Sequence, residues 1–118
     1  MAPTVFSDVS KKMKISKEEV FGPFLVIQKA RDEADAIDIA NDTSYGLVGG
    51  VFTRDVERAM STAKRMRVGQ VFINEWYAGG VETPFGSYGQ SGYGREKGRD
   101  ALLNYVQIKS VAFALSNM

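Results

Sequence analysis

Three short apolar runs, separated by two patterns of helical spacing, constrain the fold of this 118-residue chain most strongly. The runs are Phe24–Ile27, Leu47–Phe52 and Val71–Ile73. The continuous run Phe24–Ile27 is typical of a strand buried on both faces, Val71–Ile73 of another buried strand, and Leu47–Phe52 of a strand that Gly49 and Gly50 loosen. Parallel strands need a crossover between them, usually a helix, so this order favours a parallel sheet. We therefore predict an α/β fold in which parallel strands alternate with helices, with Thr4–Phe6 as a further short strand.

An aspartate precedes each helical pattern, at the position where a carboxylate caps the first backbone N–H groups. The two aspartates are Asp32 and Asp55. The apolar positions behind them are Ala34, Ile37 and Ala40 in the first pattern, and Val56, Ala59, Met60, Ala63 and Met66 in the second. Gly69 stands where a left-handed residue often ends a helix, so we predict that role for it.

Cysteine and histidine are both absent from the sequence. Their absence excludes from this chain a cysteine nucleophile, a disulfide, a Cys/His zinc site and a Ser-His-Asp triad. Any chemistry of the chain itself must use carboxylates, lysines, hydroxyls and backbone amides. We expect no metal site.

Charge and hydropathy indicate no nucleic-acid or membrane partner. The sequence has fifteen basic and fourteen acidic residues, so its net charge is +1 and no strongly basic surface is expected. No run approaches the roughly 20 apolar residues that cross a bilayer. Residues 1–8 lack the pattern of a signal peptide, so we expect a cytoplasmic location.

Residues 75–98 form a long irregular stretch that contains seven glycines. Aromatic residues are interleaved with them, which favours a functional loop over disorder. Gly92, Gly94 and Gly98 are spaced one residue too widely for the dinucleotide-binding fingerprint, and no strand immediately precedes them. A loop whose glycines allow close approach is the favoured interpretation.

The end of the chain combines a short helical piece, Arg99–Leu103, with a long apolar stretch, Tyr105–Leu115, that we predict to be a strand. Apolar side chains alternate onto both of its faces, so both faces need cover. Two interpretations are equally supported by the pattern. The strand either belongs to the chain's own sheet or pairs with another subunit.

Two carboxylate positions are candidates for chemistry. Glu18 and Glu19 precede Phe21 and a Gly-Pro turn, so a carboxylate there could hold a sugar's vicinal hydroxyls while the ring covers a flat heterocycle. Glu96 lies between Arg95 and Lys97, which would keep it ionised if they are also close in space. The alternatives are solvated helix-end glutamates for Glu18 and Glu19 and a surface ion pair for Glu96.

Several motifs in a fixed order resemble the NAD(P)-dependent aldehyde dehydrogenase superfamily. They are Glu18–Pro23, Ala40–Leu47, Val51–Asp55, Gly69–Asn74, Pro84–Gly86 and Ser91–Glu96. The resemblance runs from about Pro3 to about Leu115, but it covers only the C-terminal quarter of the family pattern. It implies that residues 1–104 are the C-terminal part of a catalytic domain and that residues 105–118 are an oligomerisation strand and tail.

This resemblance also implies a function and roles for individual residues. The family oxidises aldehydes to carboxylic acids with NAD or NADP, using a cysteine and a glutamate that lie upstream of this segment. We therefore expect a C-terminal fragment that is inactive alone and does not bind the nucleotide stably. The implied roles are nicotinamide-ribose contact for Glu19, nicotinamide packing for Phe21, proton relay for Glu96, and substrate-tunnel wall for Trp76, Tyr77 and Phe85.

The implied partners are a second copy or a full-length homologue, bound through residues 105–115. The alternative function is a non-catalytic interaction protein derived from such an enzyme, or a remnant with no role of its own. Three residues depart from the family pattern. Ser87 replaces a usual glycine, Gly89 a common lysine, and Gln107 a frequent glutamate that connects subunits.

Overall fold

The computed structural model describes residues 2–77 and 79–114. Its regular elements are β1 Thr4–Phe6, β2 Phe24–Val26, α1 Glu33–Asn41, β3 Val48–Val51, α2 Val56–Arg65 and β4 Gln70–Ile73. Short 3-10 helices lie at Lys14–Ser16, Gly89–Ser91 and Arg99–Tyr105. Within the described residues, no helix combines the length and the hydropathy that a bilayer span requires.

The strands form two parallel pairs. β1 pairs with β2, with Thr4 opposite Phe24, and β3 pairs with β4, with Val48 opposite Gln70. The predicted α/β class and the parallel direction are confirmed. Each pair is a separate two-stranded sheet, so the described residues do not form one continuous sheet.

Both predicted helix caps are present. A carboxylate oxygen of Asp32 accepts a hydrogen bond from the Asp35 N–H at 2.8 Å, and one of Asp55 accepts from the Arg58 N–H at 3.0 Å. Glu33 of α1 forms ion pairs with Arg58 and Arg65 of α2, which hold the two helices side by side.

Gly69 does not have the predicted left-handed conformation. Helix α2 ends at Arg65, and Met66 already has extended backbone angles. A Cβ at position 69 would overlap the carbonyl oxygen of Gly86, which belongs to the loop packed over the start of β4. Glycine is needed here because two backbone segments approach closely, and not because a helix ends.

The prediction that β2 is buried on both faces is wrong for the described structure. Leu25 is 58% exposed, and the buried apolar side chains are Val9, Ile37, Ala59 and Phe72. The Cα radius of gyration is 20.1 Å, against about 13.5 Å for a compact domain of this length. The physical reason is that no second layer of the described chain covers the outer face of the β1–β2 pair.

The terminal segment after residue 105 is unpaired in the described structure. The predicted helical piece is confirmed as the 3-10 helix Arg99–Tyr105, which includes the residue predicted to begin the strand. Residues 106–114 belong to no strand and make no backbone hydrogen bond to one, and their apolar side chains are exposed. The interpretation as a strand of the chain's own sheet is therefore wrong. Leu115, the predicted end, lies outside the described residues.

Candidate functional site

An open cleft of about 880 Å³ lies between residues 16–19, strand β3 and the loop at residues 88–91. Glu19 and Trp76, predicted for the cofactor and the substrate, line this same cleft. Gly50 of β3 lies beside the Trp76 indole, where a Cβ would be at an ordinary contact distance of 3.4 Å. The fold therefore brings together two predicted residues that are far apart in sequence.

The aromatic pair after β4 is anchored on the core. The rings of Trp76 and Tyr77 lie 5.6 and 5.9 Å from the ring of buried Phe72, the first edge-to-face and the second stacked. Such pairs add to the stabilisation given by buried area alone. The two predicted tunnel residues thus have defined positions although they lie in an irregular loop.

Asn74 fixes the exit of the chain from β4, a role that the sequence analysis missed. Its Oδ1 accepts from the Thr53 N–H at 2.8 Å, and its Nδ2 donates to the Thr53 carbonyl at 2.7 Å. Its φ is +56°, a left-handed value that asparagine tolerates better than most residues. An asparagine directly after a buried strand is the signal that could have indicated this clamp.

Phe85 and Glu96 are held side by side by two backbone hydrogen bonds. Each donates its N–H to the other's carbonyl at 2.7 Å, which forms an isolated antiparallel bridge. Both residues line a second cavity of about 280 Å³. Asn104 also lines it and donates to the Arg95 carbonyl at 2.6 Å, which fixes the strand-like piece that carries Glu96.

Arg95 and Lys97, the two cations next to Glu96 in sequence, contact other groups. The Arg95 guanidinium donates to the carbonyls of Ser87 and Gly94 at 3.1 and 2.6 Å, and the Lys97 ammonium lies 5.6 Å from the centre of the Phe85 ring. Within the described residues Glu96 forms no ion pair, so the alternative of a surface ion pair is wrong there.

The cleft and the smaller cavity share a wall made of Leu47 and Ser91. Ser91 is fixed because its hydroxyl oxygen accepts from the Gly46 N–H at 3.1 Å. Gly89 has a φ of +59°, and a Cβ there would overlap the Ser44 carbonyl oxygen. The loop in this chain therefore requires glycine at the position where the family commonly has lysine.

Ser87, the second departure in this loop, is accommodated without strain. Its side chain is buried, and its hydroxyl donates to the Gly92 carbonyl at 3.1 Å. The bend after Phe85 thus gains a hydrogen bond that a glycine could not make.

Glu19 and Phe21 both face solvent. Phe21 is 95% exposed and does not line the cleft, so the structure does not bring it to the other predicted residues. A carboxylate and an indole that line one cleft can accept hydrogen bonds from hydroxyl groups and cover an apolar ring, respectively. No group of metal-ligating side chains occurs in the described ranges.

Outside the cleft, Asp35 is the strongest electrostatic feature. Arg31 donates to its carboxylate from both its guanidinium and its backbone N–H, and Lys11 lies 3.3 Å away. These hydrogen bonds, those of the Arg31 side chain foremost, hold the pKa of Asp35 well below its usual range. The ionised aspartate anchors the residues before α1 to the first turn of that helix.

Comparison with known proteins identifies the family. The sequence model of the aldehyde dehydrogenase family matches residues 1–111. An aldehyde dehydrogenase of Aspergillus niger is 47% identical over 115 residues, which are 98% of this chain and 23% of that protein. This chain belongs to the aldehyde dehydrogenase family.

Solved structures agree with this assignment. The aldehyde dehydrogenase KauB of Pseudomonas aeruginosa superposes with a TM-score of 0.87 at 43% identity, over 91% of this chain and 22% of that one. The indole-3-acetaldehyde dehydrogenase AldA of P. syringae, solved in complex with NAD+ and IAA, gives 0.88 at 41% identity, over 92% of this chain and 22% of that one. The chain therefore spans about a quarter of the length of the relatives it matches.

Proposed function

We propose that this chain serves as the C-terminal part of an NAD(P)-dependent aldehyde dehydrogenase that oxidises an aldehyde to a carboxylic acid. In this proposal Glu19 holds the nicotinamide ribose hydroxyls, and Phe21 packs beside the nicotinamide ring. Trp76, Tyr77 and Phe85 form part of the substrate tunnel. The NAD+ bound in the P. syringae structure supports the cofactor class.

One observation carries the proposal: the cleft that holds Glu19 and Trp76 shares a wall with the cavity that holds Phe85 and Glu96. Residues assigned to the nucleotide, the substrate and the proton relay thus line two neighbouring cavities on either side of Leu47 and Ser91. An exposed carboxylate at the cleft rim fits a ribose, because an ionised carboxylate accepts hydrogen bonds from two adjacent hydroxyls.

The chain's own residues account for binding, shielding and proton movement. Glu19 accepts hydrogen bonds from the ribose and orients it at the rim of the cleft. Trp76 and Phe85 exclude water from the aldehyde, and a carboxylate oxygen of Glu96 accepts and returns a proton. When bound, NAD(P) supplies the hydride acceptor.

The nucleophile must come from elsewhere, because the chain contains no cysteine. In the proposed enzyme the thiolate and the activating glutamate belong to the part that precedes this segment, so the isolated chain is inactive and binds the nucleotide weakly. Residues 106–114, exposed and unpaired, support contact with a second copy or a full-length homologue. The match to enzymes over 98% of the chain does not favour a separate non-catalytic function.

A chimera tests the proposal. The matching 115 residues of the A. niger enzyme are replaced by those of this chain, and NADH formation from an aldehyde is followed. The chimera is expected to be active, and Glu19→Gln is expected to raise the KM for NAD by about tenfold, because it loses charge-assisted hydrogen bonds.

Glu18→Gln is the matched control, since Glu18 lines the same cleft but its carboxylate forms a local ion pair with Lys14. We expect it to leave the KM for NAD within about twofold. A folded chimera without activity, or equal effects of the two substitutions, would contradict the proposed function.

A further inference from the structure

The segment that carries Glu19 and Phe21 has few connections to the rest of the protein. Within the described chain, the hydrogen bonds of residues 13–22 join residues that are close in sequence, with one exception. The exception is Lys17, whose partner lies 25 residues away. After this segment the chain is paired with β1 from Pro23 onwards, but no backbone hydrogen bond of the described structure joins residues 13–22 to the elements across the cleft.

Lys17 connects this segment to the C-terminal end of α1. Its ammonium group forms an ion pair with the Asp42 carboxylate and also donates to the Asp42 carbonyl at 3.3 Å. Asp42 is the residue that caps α1. Carbonyl groups at the end of a helix carry partial negative charge, so a cation is favoured there even apart from the carboxylate.

A second ion pair connects the same stretch of chain to the beginning of α1. The Lys11 ammonium lies 3.3 Å from the Asp35 carboxylate, which is almost completely buried. Two lysines six residues apart thus meet two aspartates at opposite ends of one helix. Glu19 lies between the Lys17 connection and Pro23, whose carbonyl accepts a hydrogen bond from the Thr4 N–H at 2.9 Å.

We propose that Lys17 is a positioning residue, whose ion pair with Asp42 holds Glu19 at the rim of the cleft. Lys17, Glu19 and the neighbouring Thr43 all line that cleft, so the connection lies next to the carboxylate that it places. The consequence for NAD rests on the proposed function, whereas the connection itself is testable in this chain alone.

Because exposed ion pairs are weak, loss of the Lys17–Asp42 pair can change the position of Glu19 without unfolding the protein. Lys17 and Asp42 are both partly exposed, and pairs of this kind contribute little to the stability of a whole domain. Loss of the pair is therefore expected to leave α1 folded. Residues 18–22 respond more strongly, because among the described residues no other long-range hydrogen bond lies between Lys17 and the β1–β2 pairing that begins at Pro23.

Backbone ¹⁵N relaxation of the 118-residue chain tests the connection. For Lys17→Met and for Asp42→Asn, we expect order parameters at residues 19–21 to fall from about 0.8 to about 0.6, with α1 unchanged. Lys12→Met is the matched control, because Lys12 forms no ion pair among the described residues. Equal order parameters in Lys17→Met and Lys12→Met would overturn the proposal.

The expected effect of Lys17 on the KM for NAD is measured in the chimera with the A. niger enzyme. In Lys17→Met, the conformation with Glu19 at the cleft is expected to fall to between a third and a tenth of the population. The KM for NAD then rises roughly three- to tenfold. The KM for the aldehyde stays within about twofold, and the swapped pair Lys17→Asp with Asp42→Lys restores the KM for NAD.

The possible outcomes separate the two claims. Equal changes in both KM values, or no rescue by the swapped pair, would overturn the positioning role. An inactive chimera would overturn the proposed function instead, while the relaxation data still decide whether the connection exists.

Discussion

Residues 85–98 and residues 106–114 are both largely irregular, yet they are held in opposite ways. The first segment is fixed by the bridge between Phe85 and Glu96 and by hydrogen bonds to residues 44–46. The second is largely apolar and belongs to no regular element, with no backbone hydrogen bond to a strand. A loop acquires a defined geometry when its polar backbone groups find partners within the chain.

Glycine accounts for much of this difference. Gly69 and Gly86 let backbone segments approach so closely that a Cβ at either position would overlap neighbouring atoms. Residues 106–114 contain no glycine and present exposed apolar side chains, Ile108 and Phe113 among them. The first segment packs on its own chain, whereas the apolar side chains of the second stay exposed.

The largest expected effect on stability comes from adding a side chain at Gly69. Gly69→Ala is expected to lower the free energy of unfolding by at least about 3 kcal/mol, because the carbonyl of Gly86 must move away. Urea unfolding followed by the fluorescence of Trp76, the single tryptophan, measures it. The control Gly50→Ala adds a methyl group at ordinary contact distance and is expected to change stability by less than about 1 kcal/mol.

The Asn74 clamp is expected to have the next largest effect. Asn74→Ala loses two hydrogen bonds to Thr53 and places alanine at a left-handed φ, at a cost of about 2–4 kcal/mol. Asn74→Gly removes the hydrogen bonds without the backbone strain, so about 1–2 kcal/mol is expected. If both variants unfold at the same urea concentration as the parent, the clamp does not fix the exit from β4.

A smaller effect is expected from Asp35, whose pKa is lowered by the Arg31 side chain. In the unfolded chain an aspartate has a pKa of about 3.9. The stabilisation is therefore present above about pH 4 and is lost as the pH falls below that value. Asp35→Asn is expected to be less stable at pH 7, with a difference that shrinks towards low pH. A difference that stays constant from pH 7 to pH 2 would contradict this account.

The smallest effect on stability is expected in residues 106–114. Ile108→Lys is expected to change the free energy of unfolding by less than about 0.5 kcal/mol, since Ile108 is exposed. If the segment binds a second copy, the same substitution weakens association, which sedimentation equilibrium measures. A large loss of stability in the monomer would show that the segment packs on its own chain.

Local patterns predicted the regular elements well. Asp32 and Asp55 cap the two helices, and the apolar runs form β2, β3 and β4, because capping and periodicity depend on nearby residues. The reason for Gly69 and the clamp by Asn74 could not be predicted, since each depends on a segment distant in sequence. Neighbouring positions in the sequence also suggested an ion pair of Glu96 with Arg95 or Lys97, but the folded structure gives these two cations other partners.

The candidate site was predicted through family resemblance more than through local chemistry. Glu19 alone was compatible with a solvated glutamate, and its place in the cleft with Trp76 appears only in three dimensions. Exposure of Leu25 and of residues 106–114 was also not predictable, because an apolar run does not reveal which surface covers it.

The most direct test of the central claim is NADH formation by the purified 118-residue chain with aldehyde and saturating NAD. The account assigns this chain nucleotide and substrate contacts without a nucleophile, so it predicts a rate no higher than that of the protein-free blank. Sustained, enzyme-proportional formation of NADH would contradict it, because the chain contains no cysteine to form the thioester.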